Sequence, residues 1–144
     1  MVADESRGSQ LLPVLAQLVR FLRQLDSPDN PSPVALGVLR RLDREGPSRI
    51  TDLARLERTS QPGMTQLVGR LERAGLVLRT ADAQDGRVVL VEVTEEGRAL
   101  IARTHAYYVA TLDKLFDRLD PADCETIVAA LPALERLAGE TAAG

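Results

Sequence analysis

The sequence holds one cysteine, one histidine, no tryptophan and only 3% aromatic residues in 144. Each shortage removes a class of function. A lone Cys124 closes no internal disulfide and is too few for a cysteine zinc site. His105 is the single histidine, and no glycine-rich phosphate loop is present, so no nucleophile–base pair can be nominated. Enzyme activity is therefore not expected, and neither a metal nor any other cofactor is implied. Phe21, Tyr107, Tyr108 and Phe116 show no regular interleaving with arginine, which argues against a base-stacking platform for RNA or single strands. No apolar run approaches the ~20 residues that a bilayer crossing requires. The first ten residues are polar and mixed in charge, without the pattern of an export signal. The cytoplasm is the expected compartment, with no membrane partner.

Lysine is almost absent too: Lys114 is the only one, and the positive charge is otherwise arginine. The formal net charge is −3, which taken alone counts against a phosphate-rich partner. Its distribution points the other way. Between Arg58 and Arg79 the cations Arg58, Arg70, Arg73 and Arg79 face only Glu72, while Asp4, Glu5, Asp120, Asp123, Glu125 and Glu140 lie towards the ends. A mildly acidic chain can still present one basic surface.

What is present is periodicity. At this length one domain with a real core is expected. Leu11, Val14, Leu15, Leu18, Leu22 and Leu25 recur at helical spacing, and a stretch with three prolines over 26–33 reads as a loop. Ala35, Val38, Leu39 and Leu42 mark a second helix ended by Gly46-Pro47. A short helix follows around Ile50–Leu56, with Thr51 expected as its N-cap and Asp52 at its positive end. Ser60 is then a good cap for a fourth helix, with Pro62 in the first turn and Met64, Leu67, Val68 and Leu71 as its buried stripe. Gly75 is the expected stop.

Beyond Gly75 the period changes to two. Leu76–Thr80 and Arg87–Val93 read as strands of a hairpin, with Asp85-Gly86 as a turn that draws on the positive φ glycine allows. Thr94 with Glu95 and Glu96 starts a long helix carried to about Leu119. Asp120-Pro121 breaks it, and a last helix uses Ile127, Val128, Leu131, Leu134 and Leu137, with Pro132 as a potential kink. Residues 141–144 are expected to fray.

The expected fold is mainly α with a small β-hairpin wing: a winged helix-turn-helix core over 34–94, flanked by amphipathic helices over 8–27 and 95–139, in one domain spanning 1–144. The outer stripes are too large for so small a middle unit to cover, so a second copy is the natural cover.

A helix-turn-helix places the start of its second helix against base edges in the major groove. Here that end carries Ser60, Gln61, Pro62, Gly63, Thr65 and Gln66. Glutamine donates and accepts, as reading adenine requires. Thr65 offers a hydroxyl and a methyl, and Gly63 removes bulk where the backbone must come close. Arg70 and Arg73 lie further along, better placed for phosphates than for bases. Gln, Thr and Arg are common on any solvated helix face, so residue type alone does not decide. The wing adds weight. Arg87 sits where a hairpin tip can enter a narrow, strongly negative minor groove, and Asp85 is placed to pair with it and orient it. A surface ion pair on an ordinary hairpin is the plainer reading of those two residues alone.

Taken together, Leu53-Ala54, Ser60-Gln-Pro-Gly-Met-Thr65, Leu71-Glu-Arg-Ala-Gly-Leu76, Asp85-Gly-Arg87 and Val93-Thr-Glu-Glu-Gly97 resemble the MarR (multiple antibiotic resistance regulator) family of bacterial repressors. The Asp-x-Arg wing with its downstream Thr-x-x-Gly is the most discriminating part. The resemblance implies a homodimeric, double-stranded-DNA-binding transcriptional regulator, a ligand-responsive repressor on a near-palindromic operator. It places Ser60, Gln61, Gly63, Thr65 and Gln66 against the major groove, Arg70 and Arg79 on the backbone, and Arg87 in the minor groove. It also implies a small aromatic or anionic effector, for which Phe21, His105, Tyr107 and Tyr108 are candidates that helix packing explains equally well. Peroxide-sensing members carry a cysteine near the chain start, whereas Cys124 begins the last helix without an obvious thiolate stabiliser. A packed thiol is expected there, and a lone histidine argues against a zinc-sensing branch. A winged helix that docks protein without touching DNA is the alternative; the acidic balance favours it and the polar helix start disfavours it.

Overall fold

The computed structural model describes residues 6–25 and 31–142. Expectations for residues 26–30 of the proline loop, for the first five residues and for fraying at 143–144 lie outside the described residues. The described chain forms α1 (Arg7–Gln24), α2 (Pro33–Glu45), α3 (Ile50–Leu56), α4 (Gln61–Arg73), β1 (Val77–Ala81), β2 (Val89–Val93), α5 (Glu95–Phe116) and α6 (Pro121–Ala142). It falls into two compact units that divide between Ala106 and Tyr107.

The first unit is built around the middle helices. Ser32 caps α2, its hydroxyl accepting from the Ala35 amide at 3.2 Å, and Pro33 takes the first helical position, where the missing N–H costs nothing. Gly46 ends the helix at φ +87°. Val38, Leu39 and Leu42 from α2 meet Leu53 from α3, Met64, Leu67, Val68 and Leu71 from α4, and Leu100 from α5 in one core. Val77, Val91 and Val93 close it from the wing base. Burying each such side chain is worth roughly 1.5–3 kcal/mol, so the core sets the positions of both α4 and the wing.

The wing is a two-stranded antiparallel sheet with Val77 opposite Val93 and Ala81 opposite Val89. A third backbone joins it: Ser48, between α2 and α3, exchanges both hydrogen bonds with Val91, at 3.0 and 2.8 Å. The wing is thereby tied to the helices, and not hung on a hinge.

Two local expectations differ from the structure. Helix α3 starts two residues earlier than a Thr51 cap requires; Arg49 stands at the cap position without a side-chain bond, while Asp52 does lie in the first turn. Gly86 does not take a positive φ; among the described glycines Gly46 and Gly75 do. The tip is turned instead by aspartates, Asp82 accepting from the Gln84 amide at 2.9 Å and Asp85 from the Arg87 amide at 3.1 Å. Pro132 lies inside α6, which continues through it as one helix.

Candidate nucleic-acid interface

Helix α4 owes its start to Ser60, whose hydroxyl accepts from the Gly63 amide at 3.1 Å, and its end to Gly75 at φ +75°. The turn before it contains Arg58 at φ +52°, a left-handed conformation rare for a side-chain-bearing residue. That turn is held by the Thr59 amide, which donates to the Ala54 carbonyl at 2.9 Å. Glu57, beside it, accepts from Arg41 Nε at 2.9 Å, tying α2 to the end of α3. The Glu57 hydrogen bond leads in raising the Arg41 pKa above its ordinary value. The hydrogen bond from Arg44 leads in holding the nearby Glu45 carboxyl below its ordinary value. Gly37 leaves room for the strut: a Cβ there would come within 2.9 Å of Glu57 Oε2.

With Met64, Leu67, Val68 and Leu71 buried, the opposite face of α4 is left to solvent. Thr65, Gln66, Gly69, Arg70 and Arg73 from that face, with Arg79 from β1, wall a cleft of about 460 Å³. Apart from the bare Gly69, the side chains that wall it end in polar or cationic groups. One anion intrudes: Glu72 lies 3.5 Å from Arg79 Nε.

Of the eight candidate DNA-facing residues, the cleft gathers Thr65, Gln66, Arg70 and Arg79. Ser60, Gln61 and Gly63 form the first turn of α4 and its cap, outside that cleft, and Arg87 is exposed at the wing tip. Gly63 has a second reason to be glycine, since a Cβ there would press within 2.9 Å of the capping Ser60 Oγ. Thr65 spends its hydroxyl hydrogen inside the helix, donating to the Gln61 carbonyl at 2.9 Å. Asp85 orients the wing tip through the Arg87 backbone amide, and the two side chains form no ion pair of 4.0 Å or less. Arg73 and Gly69 were readable from sequence, because Gln66, Gly69, Arg70 and Arg73 share the spacing of one helix face. The Glu72–Arg79 pairing joins a helix to a strand and has no such signal.

The effector candidates are more scattered. Phe21 is half-buried on α1 and His105 is exposed on α5. Tyr107 and Tyr108 are half-buried neighbours with ring centroids 6.1 Å apart. Cys124 is half-buried, its thiol 3.5 Å from the Phe116 carbonyl. Among the described residues no group of three or more His, Cys, Asp or Glu is placed to hold a metal, and no helix is long and apolar enough to cross a membrane.

Residues 32–89 match the MarR family, a stretch that contains α2, α3, α4, the wing tip and the cleft. An HTH-type transcriptional regulator of Mycobacterium tuberculosis is 38% identical over 87 residues, which cover 58% of this chain and 61% of that protein. The chain thus aligns with about three fifths of the length of that curated relative. Among solved structures, a Pseudomonas aeruginosa protein described as a candidate transcriptional regulator matches with a TM-score of 0.77 at 29% identity, covering 96% of this chain and 97% of that one. A MepR variant from S. aureus, solved bound to an oligodeoxyribonucleotide, matches in fold with a TM-score of 0.67 at 22% identity, over 92% and 98% of the two chains. This winged helix-turn-helix, with its cap, cleft and wing, is thus similar to the MarR family in sequence over its centre and to a solved candidate transcriptional regulator in fold along nearly its whole length.

Proposed function

We propose that the chain is a DNA-binding transcriptional regulator that acts in the cytoplasm as a homodimer on a near-palindromic operator. The observation that carries this reading is the cleft on the exposed face of α4, where three arginines stand beside Thr65 and Gln66. In this arrangement Ser60, Gln61, Gly63, Thr65 and Gln66 face base edges in the major groove, Arg70, Arg73 and Arg79 hold phosphates, and Arg87 enters the minor groove from the wing, its backbone set by Asp85. The relatives named as helix-turn-helix regulators support it, as does the oligonucleotide-bound MepR neighbour. A protein-docking face would be more apolar at this position.

Residues 34–94 are the reading segment, and 8–27 with 95–139 are the dimerisation helices. On α1, Leu15, Leu18 and Leu22 are each more than 40% exposed, and α6 leaves Ile127, Leu131 and Leu134 similarly open. Such stripes on single helices require cover. A second copy supplies it for both helices at once. Its two-fold axis also spaces two reading heads by one DNA turn, roughly 34–36 Å. Repression relieved by a small aromatic or anionic effector completes the proposal, with Phe21, His105, Tyr107 and Tyr108 as the residues to probe.

The test is fluorescence anisotropy of the full chain on duplexes selected from a random pool, at several salt concentrations, beside sedimentation. Arg70→Ala should weaken all duplexes alike and lower the salt slope by about one per protomer. A chain that sediments as a monomer and prefers no duplex overturns the reading.

A further inference from the structure

We infer that Thr65 selects thymine through its γ-methyl group and not through its hydroxyl. The inference rests on α4 being the helix that enters the major groove. Thr65 is exposed, opens the second turn of α4, and walls the cleft beside Gln66 and Arg70. Its Oγ1–H is already donated to the Gln61 carbonyl at 2.9 Å.

A threonine hydroxyl has one hydrogen to give. Guanine O6 and N7, adenine N7 and thymine O4 all accept hydrogen bonds and need a donor. With its hydrogen held one turn back, Thr65 offers those atoms nothing. What remains is a lone pair, suited to the amino group of cytosine or adenine, and a methyl, suited to the 5-methyl of thymine.

Two features choose the methyl. First, the other residues that wall the cleft present an amide, guanidinium groups or a bare glycine, so Thr65 carries its one methyl group. The amide of Gln66 already supplies an acceptor for an amino group, and Thr65 has the only methyl group among the side chains that wall the cleft. Second, the bond to Gln61 settles Thr65 in one of the two rotamers that threonine divides between on a helix. The methyl is therefore held in place before DNA arrives.

The test begins with the duplex that the full-length chain enriches from a random pool. Thymines in that duplex are then replaced by deoxyuridine, one symmetry-related pair at a time, which removes only the 5-methyl. One pair should weaken binding about 15-fold, or about fourfold per half-site, the value of one buried methyl-sized group. Thr65→Val keeps the methyl and loses the lone pair; it should bind within about twofold of the parent and retain the uracil penalty. Thr65→Ser keeps the lone pair and loses the methyl. It should bind the thymine duplex about 15-fold more weakly and show no further loss on uracil. A uracil penalty that survives in Thr65→Ser, or a scan of the parent with no sensitive thymine, overturns the inference while the DNA-binding reading stands. Enrichment of no duplex overturns that reading itself. The uracil scan uses the unaltered protein, so a poorly folded variant does not spoil the test.

Discussion

Gly97→Ala is a small change with a large expected consequence. Gly97 is buried in the first turn of α5, and a Cβ there would overlap the Leu76 carbonyl oxygen and lie 2.6 Å from Val93 Cγ2. Neither neighbour retreats easily. The Leu76 carbonyl accepts from the Thr94 amide at 3.0 Å, and the Leu76 amide donates to Leu71 at 2.9 Å. Thr94 adds two side-chain bonds, donating to the Gly75 carbonyl at 2.6 Å and accepting from the Gly97 amide at 3.1 Å. The start of α5 is therefore fastened to the α4–β1 turn, and a collision with backbone cannot be relieved by a rotamer change. Overpacking of this kind costs about 3 kcal/mol at the upper end of its usual range. The better helix propensity of alanine returns about 1 kcal/mol. The net loss is about 2 kcal/mol, which for a chain of this size lowers Tm by about 8 °C. Thermal unfolding followed by circular dichroism, at one protein concentration because the proposed dimerisation would shift Tm, measures it. Gly139→Ala is the control: the site is exposed on α6 with nothing within 4 Å of a new Cβ, so the same substitution should be neutral or slightly stabilising. A Gly97→Ala protein that melts within about 2 °C of the parent, or above it, refutes the packing argument.

Two further outcomes follow from α4. Glu72 lies 3.5 Å from Arg79 Nε, so it both occupies a phosphate-seeking guanidinium and sets a like charge against the DNA backbone. Glu72→Gln should tighten duplex binding by up to about fivefold per half-site at 0.15 M salt, the worth of one exposed charge pair; unchanged or weaker anisotropy titrations would show that Arg79 is not in competition. Ser60 caps α4 through the Gly63 amide, and aspartate caps as well as serine does. Ser60→Asp should hold Tm within a few degrees yet lose DNA affinity through its new negative charge, whereas Ser60→Ala should lose about 1 kcal/mol of stability. An aspartate variant that binds DNA as tightly as the parent would move Ser60 away from the interface.

The parts legible in sequence are those decided locally. Helix α4 was readable because a cap, a first-turn proline and four apolar residues at helical spacing agree. Thr94 was readable as a cap for the same reason, but the role of Gly97 in the Thr-x-x-Gly pattern was not. Its need for a missing side chain arises from Leu76, which is about twenty positions away along the chain. Arg58 was opaque for another reason. Left-handed turn residues are usually glycine or asparagine, and an arginine held at φ +52° by the bonds around it leaves no compositional mark. The Asp85-Gly86 turn was located correctly with the wrong agent: the aspartate side chains, and not a positive φ at Gly86, turn the chain. For Thr51 the hydroxyl suited a cap, yet the helix begins two residues earlier, capped at Arg49, whose side chain has no acceptor. Site residues on one helix face could be listed from spacing. The cleft they form required the position of β1, which depends on the shared core.

That dependence also explains how a chain with net charge −3 can present a cationic site. Helix α6 carries Asp123, Glu125, Glu135 and Glu140 against Arg136, and this excess equals the net charge of the whole protein. The rest of the chain is balanced. Within it the core orients α4 so that Arg70 and Arg73 leave the helix on the solvent side, and the register of β1 brings Arg79 alongside. At physiological salt a charge is felt over about 8 Å, so a phosphate at the cleft responds to these three arginines and Glu72 far more than to the sum over the molecule. Net charge governs solubility and long-range approach; the local arrangement governs what the surface can hold. The acidity that seemed to favour a protein-docking role therefore weighs little against the cleft, and the two readings are separated by where the arginines stand.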